Sequence, residues 1–198
     1  MYIRQFFFKN RSYTPIPIVL IIIYYSEQSQ PHVLIGVGLI IMGEIIRISA
    51  VRYAGGATRT RNVGAPYLCT SGPYSLTRNP LYCGNVIIYT GMVFFAGGAW
   101  VWYTLTFVAI FFIIQYYYII SLEEETLKEK FKSQYDIYIT NVPKLFPRLS
   151  AWKGDSQISP KGLLSTLKTE KRTLQNIFLI SSIIIFKEQI VYFLQKVL

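Results

Sequence analysis

Apolar residues in this chain arrive in long runs separated by short polar breaks, a pattern unlike the interleaving of a soluble domain. The first run, about Ile16 to Tyr25, follows Arg4, Lys9 and Arg11 and stops at Ser26-Glu-Gln-Ser-Gln-Pro31. A basic start before an apolar stretch also opens signal peptides, but no small-residue cleavage site follows here. The run therefore predicts a first membrane helix, a full span of about 20 residues being reached only if Tyr13 to Pro17 enter the interface. Val33 to Val51 predicts a second span interrupted by Glu44 and Arg47. Three apart, these two share a helix face and can neutralise each other near the cytosolic interface, with Arg47 snorkelling outward.

Leu81 to Ala96 and Trp100 to Ile120 predict two further spans, joined by Gly97-Gly98-Ala99 as a tight hairpin turn. Trp100, Trp102 and Tyr103 at that turn fit an aromatic belt. Before the hairpin, residues 52 to 82 form a polar loop rich in Gly, Pro and Arg (Gly55-Gly56, Arg59, Arg61, Gly64, Pro66), and loops of this length usually carry function. After it, from Leu122 to about Thr140, Leu127, Phe131, Tyr135 and Tyr138 recur at spacings of 4, 4 and 3, one apolar stripe of a helix. A polar, basic stretch from Lys144 to Arg172 is broken by Pro147, Gly154, Pro160 and Gly162. A final apolar stretch from Leu174 is equally compatible with spanning, re-entering or lying on a membrane.

The expected fold class is all-α: a polytopic integral membrane bundle of four or five spans with one cytosolic lobe. Residues 1–51 would supply two N-terminal helices, 52–149 the loop, hairpin and C-terminal motif, and 150–198 a basic linker and a last apolar helix. Composition agrees: 52% of the 198 residues are hydrophobic and 15% charged, and the mean hydropathy is +0.35. Soluble domains carry about 25% charged residues. A net charge of +10 raises nucleic acid as a partner, but that needs a soluble basic face, and here the basic residues lie between apolar runs, where they set topology and meet lipid headgroups. Lys and Arg number 3 before the first run, 0 in 26–32, 4 in 52–82 and 10 in 121–173. That alternation places the N-terminus and both large loops in the cytosol of a multi-pass protein. Cys69 and Cys83 are expected as reduced thiols, and a single histidine, His32, with no Cys-x-x-Cys pair argues against a metal site.

Two motifs carry candidate chemistry. The first is Gly72-Pro-Tyr74-Ser-Leu-Thr-Arg78-Asn79-Pro80-Leu-Tyr82-Cys-Gly84, directly before a membrane helix. Asn79 as N-cap and Pro80 as first helical residue would start that helix. Tyr74, Arg78 and Tyr82 recur every fourth residue around the start, where free N–H groups and an Arg suit a carboxylate or phosphate. The second is Glu123-Glu124-Glu125, followed by Leu127, Phe131, Tyr135, Tyr138, Pro143 and Phe146-Pro147. Ser121-x-x-Glu124 reads as a capping box. Glu124 falls on the apolar stripe, whereas Glu125 shares a face with Lys128 and Glu129 and is solvated.

At this spacing, with a membrane hairpin between them, the two motifs resemble the membrane-embedded S-adenosylmethionine-dependent methyltransferases that include isoprenylcysteine carboxyl methyltransferase and the phospholipid methyltransferases. The resemblance covers about residues 64 to 149. It implies that Tyr74, Arg78, Asn79, Pro80 and Tyr82 help build a cofactor pocket closed by Glu123 and Glu124, with Arg78, Glu123 and Glu124 as catalytic candidates. Three positions depart from the family pattern. Asn79 stands where the prenylcysteine enzymes carry His, and other bacterial members of the wider family resemble this chain in having Asn; a prokaryotic plasma membrane is the expected location. Lys132 replaces the Gly that follows Phe131. Tyr116-Tyr-Tyr-Ile-Ile120 replaces a stretch that usually holds an Arg, which weighs against a prenylcysteine carboxylate as substrate.

The resemblance implies methyl transfer from S-adenosylmethionine to a lipidic or isoprenylated acceptor, a carboxylate or an amine, at the cytosolic face. The acceptor would enter laterally between the third and fourth spans. An NADPH-dependent membrane sterol reductase and a non-catalytic protein of the same fold are the alternative readings.

Overall fold

The computed structural model describes residues 2–55, 60, 62–154 and 158–197; Gly56, Arg59 and Arg61 of the long loop lie outside them. The regular elements are helical: α1 (Tyr2–Asn10), α2 (Ile16–Tyr24), α3 (Gln30–Ala54), a 3₁₀ turn at Gly72–Ser75, α4 (Pro80–Ala96), α5 (Val101–Phe131), α6 (Ser133–Asn141), α7 (Leu163–Ile185) and α8 (Lys187–Val197).

The tightest seam joins α3 to α4 and is made of glycine. Gly36 and Gly43 on α3 meet Gly91 and Gly84 on the antiparallel α4. A Cβ at Gly91 would lie 2.8 Å from Ile40 N and 2.9 Å from Gly36 O, and one at Gly84 would lie 2.9 Å from Gly43 O. Spaced seven residues apart, the glycines of each helix fall on one face two turns apart, so the two backbones touch directly. Apolar side chains gain little by meeting one another in lipid, whereas small residues allow close backbone contact, which is how membrane helices associate.

The remaining helices are ordered along this pair. The α4–α5 connection is the tight turn read from Gly97-Gly98, both with positive φ (65° and 88°). Trp100, Trp102 and Tyr103 are exposed beside it. α1 and α2 together run antiparallel to α5: Arg4 pairs with Glu125 at 2.6 Å, Phe7 stacks on Tyr118, Thr14 bonds Gln115 and Tyr25 meets Trp100. α7 runs antiparallel to α3 over its whole length. At one end Lys161 N donates to Arg52 O (2.8 Å); at the other Lys187 Nζ donates to Tyr24 O (2.6 Å) and Ser26 O (2.9 Å). α8 then bends away from α7 by 64°. Large apolar side chains stay exposed on the outer faces, among them Leu20 on α2, Leu34, Ile41 and Ile45 on α3, Ile110, Ile113 and Ile114 on α5, and Phe178 and Leu179 on α7.

By length and composition two helices are able to cross a membrane, α3 from Pro31 and α5, or three if the bent pair α7–α8 counts as one span. The apolar runs by themselves suggest four or five. The difference is one of rise: α2, with nine residues, climbs only about 14 Å, and α4, with 17, about 26 Å, against a hydrocarbon core of about 30 Å.

Two local expectations are corrected. α5 is continuous through Ser121, whose hydroxyl donates to Tyr118 O at 3.0 Å, so no helix begins there and no capping box forms. The apolar stripe from Leu127 to Tyr138 is divided between α5 and α6 by Lys132, the only non-glycine residue with positive φ among those described (φ 46°, ψ −121°). The stripe still packs as one cluster, with Tyr135, Tyr138 and Val142 buried against Leu68, Leu127, Phe131 and Trp152.

Lys132 occupies backbone space suited to glycine, at a cost on the order of 1–3 kcal/mol. Lys132→Gly is expected to raise stability by about 1 kcal/mol, the rest being lost to the freer unfolded chain; a lower unfolding midpoint in detergent would refute the strain. Gly91→Val places a branched side chain against the α3 backbone and is expected to abolish the monodisperse folded species in size-exclusion chromatography.

Candidate functional site

The site lies where the segment before α4 meets the segment after α6. Backbone bonds stitch them together: Arg78 N to Pro143 O (2.9 Å), Arg148 N to Leu76 O (3.0 Å) and Trp152 N to Ser75 O (3.1 Å). Side chains add to the seam. Thr77 Oγ1 lies 3.1 Å from the carbonyls of both Lys144 and Leu145, and Asn79 Nδ2 donates to Lys144 O at 2.9 Å. Asn79 does occupy the N-cap position and Pro80 does begin α4, but the Asn79 side chain makes no capping bond. Its amide is spent holding the 144 carbonyl, a tertiary contact in place of the local one expected.

Arg78 is the centre of this junction. Its Nε and Nη2 donate to Glu124 Oε1 at 3.0 and 2.8 Å, and its Nη1 donates to Val142 O (2.8 Å) and Ile139 O (3.2 Å) at the end of α6. Glu124 gives its second oxygen to Lys144 Nζ at 2.7 Å. Both carboxylate oxygens therefore face cations, and the guanidinium is engaged on all three nitrogens. The Arg78 and Glu124 side chains are 12% and 19% exposed, too sheltered for bulk water to replace the pairing.

Glu123, one residue earlier on α5, has a different environment. Tyr82 OH donates to its Oε2 at 2.8 Å, and no cation stands within ion-pair distance of it among the described residues. Tyr82 in turn lies against Tyr116, ring centroids 4.6 Å apart. On the opposite wall Tyr138 OH donates to Tyr74 O at 2.7 Å. Burial raises the Tyr74 and Tyr138 hydroxyls well above their usual range, and it pushes the Cys69 thiol up to about 11 against a lowering bond from the Ser71 backbone. All three stay protonated at neutral pH, so they can donate hydrogen bonds but not accept a proton.

These groups line one cavity of about 790 Å³, a ligand-sized space. Every candidate residue read from the two motifs reaches it: Tyr74, Arg78, Asn79, Pro80, Tyr82, Glu123 and Glu124. Residues outside the motifs reach it too. Arg11 enters from the α1–α2 connection, its guanidinium bonded to Phe8 O and Thr60 O. Arg47, Asn85 and Glu170 form a buried polar group between α3, α4 and α7. Arg47 Nη2 pairs with Glu170 Oε2 at 2.6 Å, its Nη1 bonds Asn85, and Glu44 lies 3.7 Å from its Nε. Arg47 does not snorkel; it is 8% exposed and Glu170 is 0% exposed. A second carboxylate, from a helix more than a hundred residues away in sequence, keeps it inside. Glu170 carries no local signal, since in sequence it is one acid in a basic stretch, and Lys144 was legible only as the neighbour of Pro143. Among the described residues no group of three or more His, Cys, Asp or Glu side chains is placed to hold a metal ion.

The model of the phospholipid methyltransferase family matches residues 31–134, more than half of the chain. The chain belongs to that family. Its matched segment contains α3, the long loop, both halves of the hairpin and Glu123–Glu124, and stops just inside α6. Two curated relatives share part of it. A cobalt-zinc-cadmium resistance protein, CzcN, from Cupriavidus metallidurans is 36% identical over 89 residues, 45% of this chain and 39% of that protein. A nickel-cobalt-cadmium resistance protein, NccN, from Alcaligenes xylosoxydans xylosoxydans is 34% identical over 90 residues, 45% of this chain and 40% of its own. The chain thus matches about two fifths of the length of these relatives. No solved structure matches it significantly.

As a family member with this junction, the chain is expected to be sensitive to single deletions in the clamp. Arg78→Ala leaves Glu124 with Lys144 alone and strips the Val142 and Ile139 carbonyls of their donor, and should cost on the order of 3 kcal/mol, whereas Arg78→Met with Glu124→Met should recover part of that loss. Chemical unfolding of both variants measures the difference; equal losses would show that the pair makes no coupled contribution.

Proposed function

We propose that the protein is a membrane methyltransferase that binds S-adenosylmethionine in the motif-lined part of the cavity and methylates a lipidic acceptor at the cytosolic face. The observation that carries this reading is Glu123: a carboxylate on the wall of a ligand-sized cavity that accepts a hydrogen bond from a neutral tyrosine and, among the described residues, has no cation in ion-pair contact. Such a group attracts the positive charges that a sulfonium amino acid presents, and the aromatic faces of Tyr82 and Tyr116 beside it favour cations further. Arg78 and Glu124, by contrast, neutralise each other and act as the frame of the pocket. Glu123, Tyr82, Tyr74 and the backbone around Asn79–Pro80 are the residues that would hold the cofactor.

S-adenosylmethionine, when bound, supplies an activated methyl group on a sulfonium. The chain's own contribution is to align an acceptor with that group and to keep water away, which needs walls more than acids. Pro80, Leu81, Tyr82 and Tyr116 provide such walls. A carboxylate acceptor is nucleophilic already. An amine acceptor must lose a proton, and Glu123 is the carboxylate on the wall that no cation occupies. The N-terminal helices, α4 and α7 complete a multi-pass arrangement on this reading, with α1 and α2 acting together as one broken crossing. The basic segments 52–82 and 121–173 then face the cytosol, in a prokaryotic plasma membrane.

Calorimetric titration of detergent-purified protein with S-adenosylhomocysteine tests the reading, with NADPH in parallel. Binding of the first is expected, weakened about tenfold or more in Glu123→Gln, since a charge-assisted contact is worth roughly 1.5–3 kcal/mol. Binding of NADPH alone would replace the reading by a reductase, and binding of neither ligand to folded protein would end the catalytic proposal.

A further inference from the structure

The cavity does not end at the motif residues. It continues along α4 from Pro80 past Ile88 to Met92, and there its walls change: α2 supplies Ile16, Val19 and Leu20, and α7 supplies Ile177, Leu179 and Ile180. From Pro80 to Met92 α4 rises about 18 Å, close to half of the roughly 30 Å hydrocarbon core, the depth of one leaflet. At the depth of Met92, Ser181 Oγ stands 4.0 Å from Met92 Sδ, and Ile22 on α2 is buried. The limb's outer margin carries the exposed Leu20, Phe178 and Leu179. A space of this depth, polar as far as Asn176 and apolar from Ile177 inward, fits one lipid chain lying parallel to the helices with its polar end toward Arg47 and Glu170.

Two of the three elements that wall this limb, α2 and α7, lie outside the segment matched by the family, which runs from residue 31 to 134 and includes α4. α7 in particular begins at Leu163. Its inner face presents Glu170, Thr173, Asn176, Ile177 and Ile180 to the cavity, polar residues at the level of Arg47 and apolar ones deeper. Few residues of α7 are buried (Thr166, Glu170 and Ile184), and between its two fastened ends Glu170 is the one that carries a charge pairing. That side chain is fully enclosed and paired to Arg47 at 2.6 Å, which α4 steadies in turn through Asn85.

We propose that α7 is the acceptor-selecting wall of the enzyme: Ile177 and Ile180 set the length of lipid chain that fits beneath the methyl-transfer site, and Glu170, by holding Arg47, is the positioning residue that fixes this wall. The selection deepens the methyltransferase reading and rests on it for the identity of the reaction, but chain binding is measurable without catalysis. The entrance then lies between α2 and α7, in place of the α4–α5 entry expected from sequence. On this reading the segment matched by the family builds the transfer chemistry, while α2 and α7, which lie outside it, choose what is methylated.

The test equilibrates the purified full chain with an equimolar series of phosphatidylethanolamines of increasing chain length and reads the retained lipids by native mass spectrometry. S-adenosylhomocysteine affinity is measured on the same samples. Ile180→Trp fills the limb and should shift retention toward shorter chains, on the order of tenfold for each two methylenes displaced. Glu170→Gln should broaden the length profile while leaving S-adenosylhomocysteine affinity unchanged. If Glu170→Gln fails to fold, Ile180→Trp decides alone. An unchanged length profile in Ile180→Trp, or a parallel loss of S-adenosylhomocysteine binding in either folded variant, overturns the proposal. A shifted profile in protein that binds no S-adenosylhomocysteine would keep the lipid limb and discard the cofactor reading, so the two claims fail separately.

Discussion

The clamp between Arg78 and Glu124 is the interaction on which the site depends. It joins the turn before α4, the end of α5 and the end of α6, and it alone among the seam's contacts ties all three together. A guanidinium has five donors in a rigid fork, enough to satisfy a carboxylate and two helix-terminal carbonyls together. Lys144 then completes the carboxylate's second oxygen. Because the group is sheltered from water, no member can leave without stranding another, and the geometry is held without a bound ligand. The consequence for chemistry is a division of labour between adjacent acids. Glu124 is neutralised as part of the frame, and Glu123, one residue earlier and turned toward Tyr82, remains to face the cavity.

A second constraint operates further into the bundle. The glycine seam brings the α3 and α4 backbones into contact, and this is what lets Arg47 cross the bare surface of Gly84 to reach Asn85. Any side chain at Gly84 would occupy the space of the Arg47 stem, 2.7 Å from its Cγ. Close helix packing and the buried charge are therefore one feature. Once Arg47 is inside, a counter-charge is required, because an ion in an apolar interior is far more costly than one in water. Glu44 supplies part of it from the same helix and Glu170 the rest from α7. That requirement gives the C-terminal helix a defined seat, although most of its surface is exposed.

How much was legible in the sequence follows from the range of each interaction. The tight α4–α5 turn at Gly97-Gly98, the start of α4 at Pro80 and the packing of Leu127, Phe131, Tyr135 and Tyr138 together were readable, since each depends on neighbours within a turn or two. The pairing of the two motifs was readable only through family resemblance, because residues 78 and 124 are brought together by a helical hairpin whose packing no local rule specifies. Where local rules were applied at positions with tertiary duties they failed in a consistent way: Asn79 and Ser121 both have the chemistry of caps, and both are used otherwise, one to hold the 144 carbonyl and one inside an unbroken helix.

What the sequence by itself determined, then, is the helical class and the two motifs whose residues reach the cavity, because hydrophobic run length and motif spacing are properties of the chain. The tertiary structure decided the roles: which glutamate is neutralised and which faces the cavity, that Arg47 stays buried, and that α2 and α7 wall an apolar limb beneath the site. These depend on the distances between charges and on which side chains share a low-dielectric interior, quantities that exist only after distant segments have packed. The same reason makes Glu170 invisible in sequence and central in the fold.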